Sequence, residues 1–285
     1  MPIFGHKPTN AHEASCIVDL LLTITKLALL PGYRWVEVRG EGNTVQRCRF
    51  SDKAPPPEDD SGVLITLWID EDSQAGYNTR ILNNQFLRYN EGQGHLGNGF
   101  ETIRVGTHGK WDVPTKVLIE GNYFYRMDAE AEVISIKTSF NTIRNNAFEE
   151  VRGAMTFRHG QNNILDNNVF FGAGVSSTRG VRIFDENHVV SNNWFSELTN
   201  SAILVYAGTE GDHGDGKHYR AGNITITGNT IEECHNAAGI DLGSSYTIPP
   251  VAPMLLAGNR ASNTNGRMIQ LNFDEYADIS DFSQV

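Results

Sequence analysis

The chain has 285 residues, of which 39% are hydrophobic and 20% charged, and its formal net charge at pH 7 is −11. This composition is typical of a globular protein, and the negative charge argues against a nucleic acid partner because phosphate binding needs a basic surface. An anionic polysaccharide is not excluded, since a few arginines or a bound metal in a groove can reverse the local field. The 28 glycines and many asparagines predict frequent turns rather than long helices.

The N-terminal part contains the most apolar run, residues 16–31, which Asp19 and Lys26 interrupt. No run reaches the ~18 apolar residues of a membrane span, so no membrane partner is predicted. No basic region precedes this run, so we find no clear signal peptide and expect an early strand pair or short helix. The three cysteines, Cys16, Cys48 and Cys234, are too far apart for a local zinc motif, and we expect buried free thiols.

A short phrase with a central asparagine recurs along the chain. The intervals between these asparagines are 24, 22 and 25 residues from the second to the fifth copy, within the range of a solenoid. The central residues are Asn84, Asn122, Asn146, Asn168, Asn193, Asn229 and Asn259.

Within each repeat, short segments bounded by asparagine and glycine read as strands, for example residues 116–120, 141–144, 163–165 and 223–228. We expect the asparagines to hydrogen-bond between repeats, and the phenylalanine two residues further on to stack in the core. The predicted fold is therefore an all-β solenoid, a single-stranded parallel β-helix. An antiparallel sandwich of short strands is the alternative, but sandwiches need no fixed repeat.

The predicted organisation has two parts: an N-terminal segment, residues 1–34, forming a partial cap or incomplete first rungs, and a β-helix over residues 35–285. Longer gaps between repeats predict projecting loops at residues 93–98 and 206–218, which would gather on one face. Residues 53–62 include three consecutive prolines and are predicted to form another surface loop, because proline removes a ladder donor.

The segment 128–138 carries the chemistry. Glu130 and Glu132 are two residues apart and would share one face of a strand, where they repel each other unless a cation lies between them. Lys137 follows Glu132 by five residues, and Arg158 follows Lys137 by twenty-one, close to one rung of the solenoid. A metal, a base and an acid would then share one face. Taken alone, the glutamates are more often a solvated strand face.

Four ordered motifs resemble polysaccharide lyase family 6, which comprises alginate lyases and the dermatan-cleaving chondroitinase B. The resemblance runs from about Trp35 to beyond Gly243. The motifs are Gly97-Asn-Gly-Phe-Glu-Thr-Ile-Arg-Val-Gly106, Asp128-Ala-Glu-Ala-Glu-Val-Ile-Ser-Ile-Lys137, Gly153-Ala-Met-Thr-Phe-Arg-His-Gly160 and Gly180-Val-Arg-Ile183.

This resemblance implies calcium-assisted β-elimination on a right-handed parallel β-helix. It places Ca2+ on Asn98, Glu130 and Glu132, the base on Lys137 and the acid on Arg158. It further implies that His159, Arg182 and Arg104 bind substrate. Family members usually carry several rungs before the position of Trp35, so we expect an N-terminally shortened solenoid. The substrate class implies a secreted or periplasmic protein, and a monomer is favoured.

Alginate is the leading substrate, and dermatan sulfate is the alternative within the same chemistry, ranked lower because sulfate recognition favours additional basic side chains. A non-catalytic carbohydrate-binding β-helix is the second class, which the complete set of glutamates, lysine and arginine argues against. A pectinase-type hydrolase would need clustered aspartates on adjacent rungs, and none are seen. The acidic residues Glu210, Asp212 and Asp215 are consistent with a second metal site, but a solvated loop fits them better.

Overall fold

The computed structural model describes residues 17–18, 23–25, 34–53, 62–69, 76–91, 95–206, 208, 217–234, 239–244, 254–262 and 267–271. These residues form β-strands joined by turns, with one 3-10 helix at His108–Lys110 and no α-helix among them. In this described part of the chain, no helix is long and apolar enough to span a membrane.

The strands are short, mostly three residues, and are numbered in chain order. They are β1 Ile17–Val18, β2 Thr23–Thr25, β3 Val36–Val38, β4 Thr44–Gln46, β5 Arg49–Lys53, β6 Ile65–Leu67, β7 Arg80–Leu82, β8 Gln85–Tyr89, β9 Ile103–Val105, β10 Leu118–Glu120, β11 Tyr123–Met127, β12 Glu132–Ile136, β13 Thr142–Arg144, β14 Ala147–Glu149, β15 Ala154–Phe157, β16 Ile164–Asp166, β17 Val169–Phe171, β18 Val181–Ile183, β19 Val189–Ser191, β20 Trp194–Ser196, β21 Ile203–Tyr206, β22 Thr225–Thr227, β23 Thr230–Glu232, β24 Ile240–Ser244, β25 Leu255–Ala257, β26 Arg260–Ser262 and β27 Ile269–Leu271.

Three parallel sheets of nine strands make up the fold. Sheet 1 runs from β1 to β25, sheet 2 from β2 to β26 and sheet 3 from β3 to β27, each taking every third strand in chain order. Each turn of the chain therefore adds one strand to every sheet, which defines a parallel β-helix, with the right hand that parallel crossovers take. This confirms the fold predicted from the repeat.

The central asparagines form a continuous ladder inside the solenoid. Each Oδ1 accepts the backbone N–H of the asparagine one rung earlier, as in Asn122 to Asn146 at 2.9 Å and Asn146 to Asn168 at 2.9 Å. Each side-chain amide donates to the next Oδ1 and to a strand carbonyl, as Asn146 does to Ile119 O at 3.0 Å. Because these groups are buried and paired, the ladder fixes the register of successive rungs.

The left-handed backbone conformation of the turn falls on the residue before each central asparagine. Asn145 and Asn167 have φ values of 56° and 53°, and Gly121 and Gly228 occupy the same position at 69° and 65°. Asparagine and glycine tolerate this conformation better than other residues, which explains the pair Asn-Asn or Gly-Asn in the repeat.

An aromatic column fills the core. The rings of consecutive phenylalanines are stacked with centroids 4.5 to 5.1 Å apart. The column comprises Phe50, Phe86, Phe124, Phe148, Phe170 and Phe195. Phe50 shows that the repeat begins one rung earlier than predicted: Cys48 takes the asparagine position, and its N–H donates to Asn84 Oδ1 at 3.0 Å.

Two of the three cysteines lie in the described part of the chain. Cys48 and Cys234 are buried free thiols, as predicted, and Cys16 lies outside the described residues.

The N-terminal segment, residues 1–34, contributes two described strands. Strand β1 pairs with β4 and β2 with β5, so both extend the sheets. Its role as a cap stays a prediction. The predicted loop at 53–62 lies mostly outside the described residues.

A second, shorter ladder ends in a buried histidine. Asn141 N donates to Asn163 Oδ1 at 2.8 Å, and Asn163 N donates to His188 Nδ1 at 3.1 Å. His188 Nε2 then donates to Phe184 O at 3.0 Å, so the ring is neutral. Burial lowers the pKa of His188 to about 4. An asparagine at this position would continue the ladder without a titrating ring.

His188 should make folding sensitive to acid. Its pKa lies below the unfolded value, so its contribution is complete above about pH 6.5 and is lost as pH falls towards 4. Between pH 7.5 and 4.5 we expect the free energy of unfolding of His188→Asn to fall by about 2–3 kcal/mol less than that of the wild type. Urea denaturation at both pH values measures this, and an unchanged pH dependence in the variant would contradict it.

Candidate active site

Lys137 and Arg158 are neighbours on the outer side of sheet 3. Lys137 follows β12 and Arg158 follows β15, and these two strands are paired with Ile136 opposite Phe157. Lys137 N donates to Val105 O at 2.9 Å and Arg158 N to Ile136 O at 2.8 Å, so the two residues occupy the same position in adjacent rungs. The interval of twenty-one residues predicted this arrangement.

The two glutamates converge, but not by sharing a strand. Strand β12 begins at Glu132, whereas Glu130 lies in the preceding bend, so the prediction that both project from one strand is wrong for Glu130. A bulge between Glu132 and Ile134 breaks the alternation, and such a bulge re-aims the side chain beside it. Gly153 permits the close approach of the next rung, because a Cβ there would lie 2.6 Å from Glu130 O.

Three buried carboxylates form a cluster next to Lys137 and Arg158. Glu101, Glu130 and Glu132 each place one oxygen within 4.8 Å of the others. Glu101 was not predicted, although it is the one carboxylate in the motif between Asn98 and Arg104. That motif position was the only available sequence signal, since Glu101 reaches Glu130 from a separate rung.

Each carboxylate is held by different donors. Glu130 Oε2 accepts the backbone N–H groups of Gly99 at 2.9 Å and Phe100 at 2.7 Å. Glu132 accepts hydrogen bonds from Ser135 and Arg182, both at 2.5 Å. The cluster repels itself: burial and then the charge of Glu101 raise the pKa of Glu130 to about 8.

Glu132 and Glu101 position the two candidate catalytic side chains. Arg158 Nε lies 3.4 Å from Glu132 Oε1, and Lys137 Nζ donates to Glu101 Oε1 at 3.3 Å. Both side chains are mostly buried, with 20% of Arg158 and 16% of Lys137 exposed. The partner carboxylates restrict them to one side of the cluster.

The cluster has the properties of a site for a hard cation. Glu101 Oε2 is buried and accepts no hydrogen bond from a described residue, with Arg104 Nη1 at 3.9 Å as its nearest ion-pair partner. Ca2+ takes oxygen ligands, and three carboxylates supply them. An ion here would also offset the repulsion that raises the pKa of Glu130. The residues present therefore fit calcium.

Asn98 lies in the loop that holds Glu130. It is exposed, and the residue after it, Gly99, donates the backbone hydrogen bond to Glu130. The structure thus places Asn98 at the edge of the carboxylate cluster. Its role as a metal ligand stays a prediction.

The three residues predicted to bind substrate all lie around Lys137 and Arg158. Arg104, on β9, pairs with Ser135 of β12. Arg182, on β18, pairs with Thr156 of β15. His159 is 3% exposed, and burial, with the charges of Arg158 and Lys137, lowers its pKa to about 3. His159 is therefore a neutral ring at the edge of the site, and its contact with substrate stays a prediction.

An aromatic group that the motifs did not predict borders Arg158. Phe184 follows β18 as Arg158 follows β15, one rung earlier. The guanidinium carbons of Arg158 and Arg182 lie 5.7 and 5.6 Å from the centroid of its ring. Two further rings stack on Phe184: that of His218, with centroids 4.2 Å apart, and that of Tyr206, with centroids 4.5 Å apart. His218 comes from the segment between β21 and β22, so no local spacing could have placed it here. Burial, with Arg158 and Arg182, lowers its pKa to about 3.

The two loops predicted to wall this face are described only at their edges. Residues 95–98 of the first loop are described, and His95 Nδ1 lies 3.3 Å from Asp128 O. Of the second loop, Tyr206, Gly208, Lys217 and His218 are described, and the rings of Tyr206 and His218 stack on Phe184. Glu210, Asp212 and Asp215 lie outside the described residues, so the choice between a second metal site and a solvated loop stays open.

Comparison with known proteins identifies the group to which this fold and site belong. The family model for chondroitinase B matches residues 15–265. The chain therefore belongs to the chondroitinase B family, polysaccharide lyase family 6. No curated protein sequence matches it significantly.

Solved structures agree with this assignment. A variant of the PL6 family alginate lyase AlyGC is 26% identical with a TM-score of 0.68, and the match covers 88% of this chain and 36% of that one. A mannuronic acid specific family 6 lyase from human gut microbiota is 26% identical with a TM-score of 0.66, covering 85% and 54%. The PL6 family polysaccharide lyase Pedsa3628 from Pseudopedobacter saltans, at 21% identity and a TM-score of 0.69, shares the fold over 89% and 64%. The chain thus spans about a third to two thirds of their lengths.

Proposed function

We propose that the protein cleaves a uronate-containing polysaccharide, most favourably alginate, by β-elimination, with Lys137 as base and Arg158 as acid. The observation that carries this proposal is the stacking of Lys137 and Arg158 in adjacent rungs, next to a buried cluster of three carboxylates. A base and an acid on neighbouring positions match a reaction that removes one proton and protonates one leaving oxygen.

The reaction breaks two bonds of neighbouring carbons in the uronate. Lys137 Nζ, in its uncharged form, takes the proton from C5, and the electron pair forms the C4–C5 double bond as the C4–O bond breaks. The leaving oxygen takes a proton from the Arg158 guanidinium, whose Nε lies 3.4 Å from Glu132 Oε1. Lys137 then releases the C5 proton to solvent and Arg158 regains one from solvent, which returns both groups to their starting states. The products are an unsaturated uronate and a new chain end, and no oxidant or water is consumed.

Glu101, Glu130 and Glu132, with Asn98, would hold Ca2+. The ion supplies a positive charge that neutralises the uronate carboxylate and makes the C5 proton more acidic. Arg182 adds a further fixed cation to this side, since its guanidinium donates to Glu132 at 2.5 Å. Lys137, Arg158 and Arg182 together offset the negative charge of the three carboxylates.

Alginate is favoured over dermatan sulfate because the two relatives described above at 26% identity are named an alginate lyase and a mannuronic acid specific lyase. The family model, in contrast, is named for chondroitinase B, which keeps dermatan sulfate as the second candidate. Initial rates on the two polymers, followed by absorbance of the unsaturated product, discriminate them. Faster turnover of dermatan sulfate would reverse the order, and binding of either polymer without product would favour a non-catalytic β-helix.

Removal of calcium should abolish most of the activity on alginate. We expect a chelator to reduce the initial rate at least about 10-fold, and added Ca2+ to restore it. Calcium should also raise the melting temperature of the unliganded protein, because a ligand that binds only the folded state stabilises it. Glu130→Gln supplies the matched control, since its melting temperature should respond less to calcium. A chelator-treated enzyme with full activity would contradict the metal role.

A further inference from the structure

A small cavity of about 90 Å³ lies on sheet 3 near the starts of β15, β18 and β21, in the rung of Arg158 and the two that follow it. Arg179, Arg182, Asn200 and Ser201 give it a polar lining, and Ala154 and Leu204 contribute apolar surface. None of its lining residues is acidic. The cavity is therefore a concave, positively charged surface next to the candidate active site.

Arg179 differs from the other arginines of this surface because none of the described carboxylates pairs with it. Arg158 and Arg182 pair with Glu132, and Arg152 lies 3.8 Å from Asp128. The Arg179 side chain forms no ion pair or hydrogen bond with any described residue, and its Nε is buried. Burying a guanidinium without a counter-charge is unfavourable. Burial and the neighbouring Arg182 lower the pKa of Arg179 accordingly.

The donors around the cavity match a carboxylate. A guanidinium presents paired N–H groups that fit the two oxygens of a carboxylate, and the Asn200 amide and Ser201 hydroxyl add neutral donors. An anion bound here would supply a counter-charge that no described residue gives Arg179. The lining also contains an apolar surface for the ring of a sugar.

The position of the cavity places that anion on the substrate chain. Arg182 lies on β18, one rung beyond the strand that leads to Arg158, and Leu204 lies on β21, one rung further. Neighbouring strands in a sheet are ~4.8 Å apart. The cavity lies near the starts of these strands and Arg158 follows the end of β15, so a polymer that crosses sheet 3 from Arg158 over Arg182 continues over the cavity.

We propose that Arg179, with Asn200 and Ser201, binds the carboxylate of a uronate one or two sugars away from the cleaved bond. This rests on the proposed function and adds a determinant of substrate length and charge: the enzyme selects polymers with a carboxylate on the sugars next to the reacting one. Arg179 is a binding residue in this proposal and takes no part in proton transfer.

The test compares Arg179→Gln with Arg80→Gln, which removes an exposed arginine of sheet 1. Rates on alginate oligosaccharides of increasing length give kcat and KM for each enzyme. We expect Arg179→Gln to raise KM about 10-fold or more for oligosaccharides long enough to reach the cavity, the loss typical of a charge-assisted hydrogen bond. The kcat value and the rates on the shortest cleaved substrates should stay within about 3-fold, and Arg80→Gln should match the wild type.

Two results would overturn the proposal: an unchanged KM at every length, or an equal loss at every length together with a lower melting temperature, which indicates a structural role. A larger effect of Arg179→Gln on dermatan sulfate than on alginate would assign the cavity to sulfate instead. If Arg179→Gln does not fold, Asn200→Ala carries the same comparison with a smaller expected effect.

Binding separates this inference from the proposed function. Calorimetric titration with an alginate hexasaccharide needs no turnover, so it applies even to an enzyme without lyase activity. Weaker binding by Arg179→Gln supports the subsite, and equal affinities reject it. If the wild type is active and Arg179→Gln has the same KM and affinity, the subsite alone is rejected. If the wild type forms no product from either polymer, the proposed reaction is rejected.

Discussion

Replacing Lys137 with glutamine should reduce kcat on alginate by about 100- to 10,000-fold, the range for loss of a general base. Glutamine can still donate a hydrogen bond to Glu101, which Lys137 contacts at 3.3 Å, but it cannot accept the C5 proton. Binding of oligosaccharide should change far less than kcat. The measurement is the initial rate of formation of the unsaturated product at saturating substrate.

Lys116→Gln is the control for this prediction, because Lys116 is exposed and lies on the turn before β10, away from the site. It should retain wild-type activity. Similar melting temperatures of all three proteins would show that the loss is chemical. Full activity of Lys137→Gln would exclude Lys137 as the base and leave His159 and His218, the neutral rings of the site, as the candidates.

Replacing Asn146 with alanine should lower the free energy of unfolding by about 3–5 kcal/mol, since each buried polar group left unpaired costs about 1–3 kcal/mol. Asn146 Oδ1 accepts both the N–H and the side-chain amide of Asn122, and its own amide donates to Asn168 and Ile119. Alanine removes one hydrogen bond from each of four buried groups in the middle of the ladder: the backbone N–H and side-chain amide of Asn122, Asn168 Oδ1 and Ile119 O. Chemical denaturation measures the difference.

The neighbouring substitution Asn145→Gly tests whether the ladder causes this loss. Asn145 is exposed, and glycine keeps the left-handed conformation with φ of 56° that the turn needs. We expect a loss of less than about 1 kcal/mol. If both variants are destabilised equally, the turn rather than the buried ladder determines the stability of the rung.

The fold could be predicted from sequence because each rung repeats one pattern that satisfies the same local needs. The pair Asn-Asn supplies a left-handed turn residue and a buried ladder residue, and phenylalanine two positions later fills the core. Cys48 broke this pattern, so the first copy of the repeat was missed even though Phe50 continues the aromatic column. A repeat found by residue type misses a rung in which a different residue, here Cys48, takes the position of the asparagine.

The candidate site was less predictable, because part of it depends on contacts between rungs. The intervals were sufficient to place Lys137 beside Arg158. They did not reveal Glu101, which approaches Glu130 from an earlier rung, or the bulge that turns Glu132 towards Arg182. His218 reaches Phe184 through a long insertion, whose course no repeat length determines.

The position of the site within the solenoid affects its rigidity. Lys137, Arg158 and Arg182 lie in the rungs of the fourth, fifth and sixth of the nine described strands of sheet 3. In a stacked fold an end rung is held by one neighbour and an inner rung by two, so local opening starts at the ends and moves inward. Several rungs must open from either end before the active-site rungs lose a neighbour. Thermal fraying at the ends therefore leaves the geometry of the candidate site intact, and the slowest amide hydrogen exchange is expected around Lys137 and Arg158.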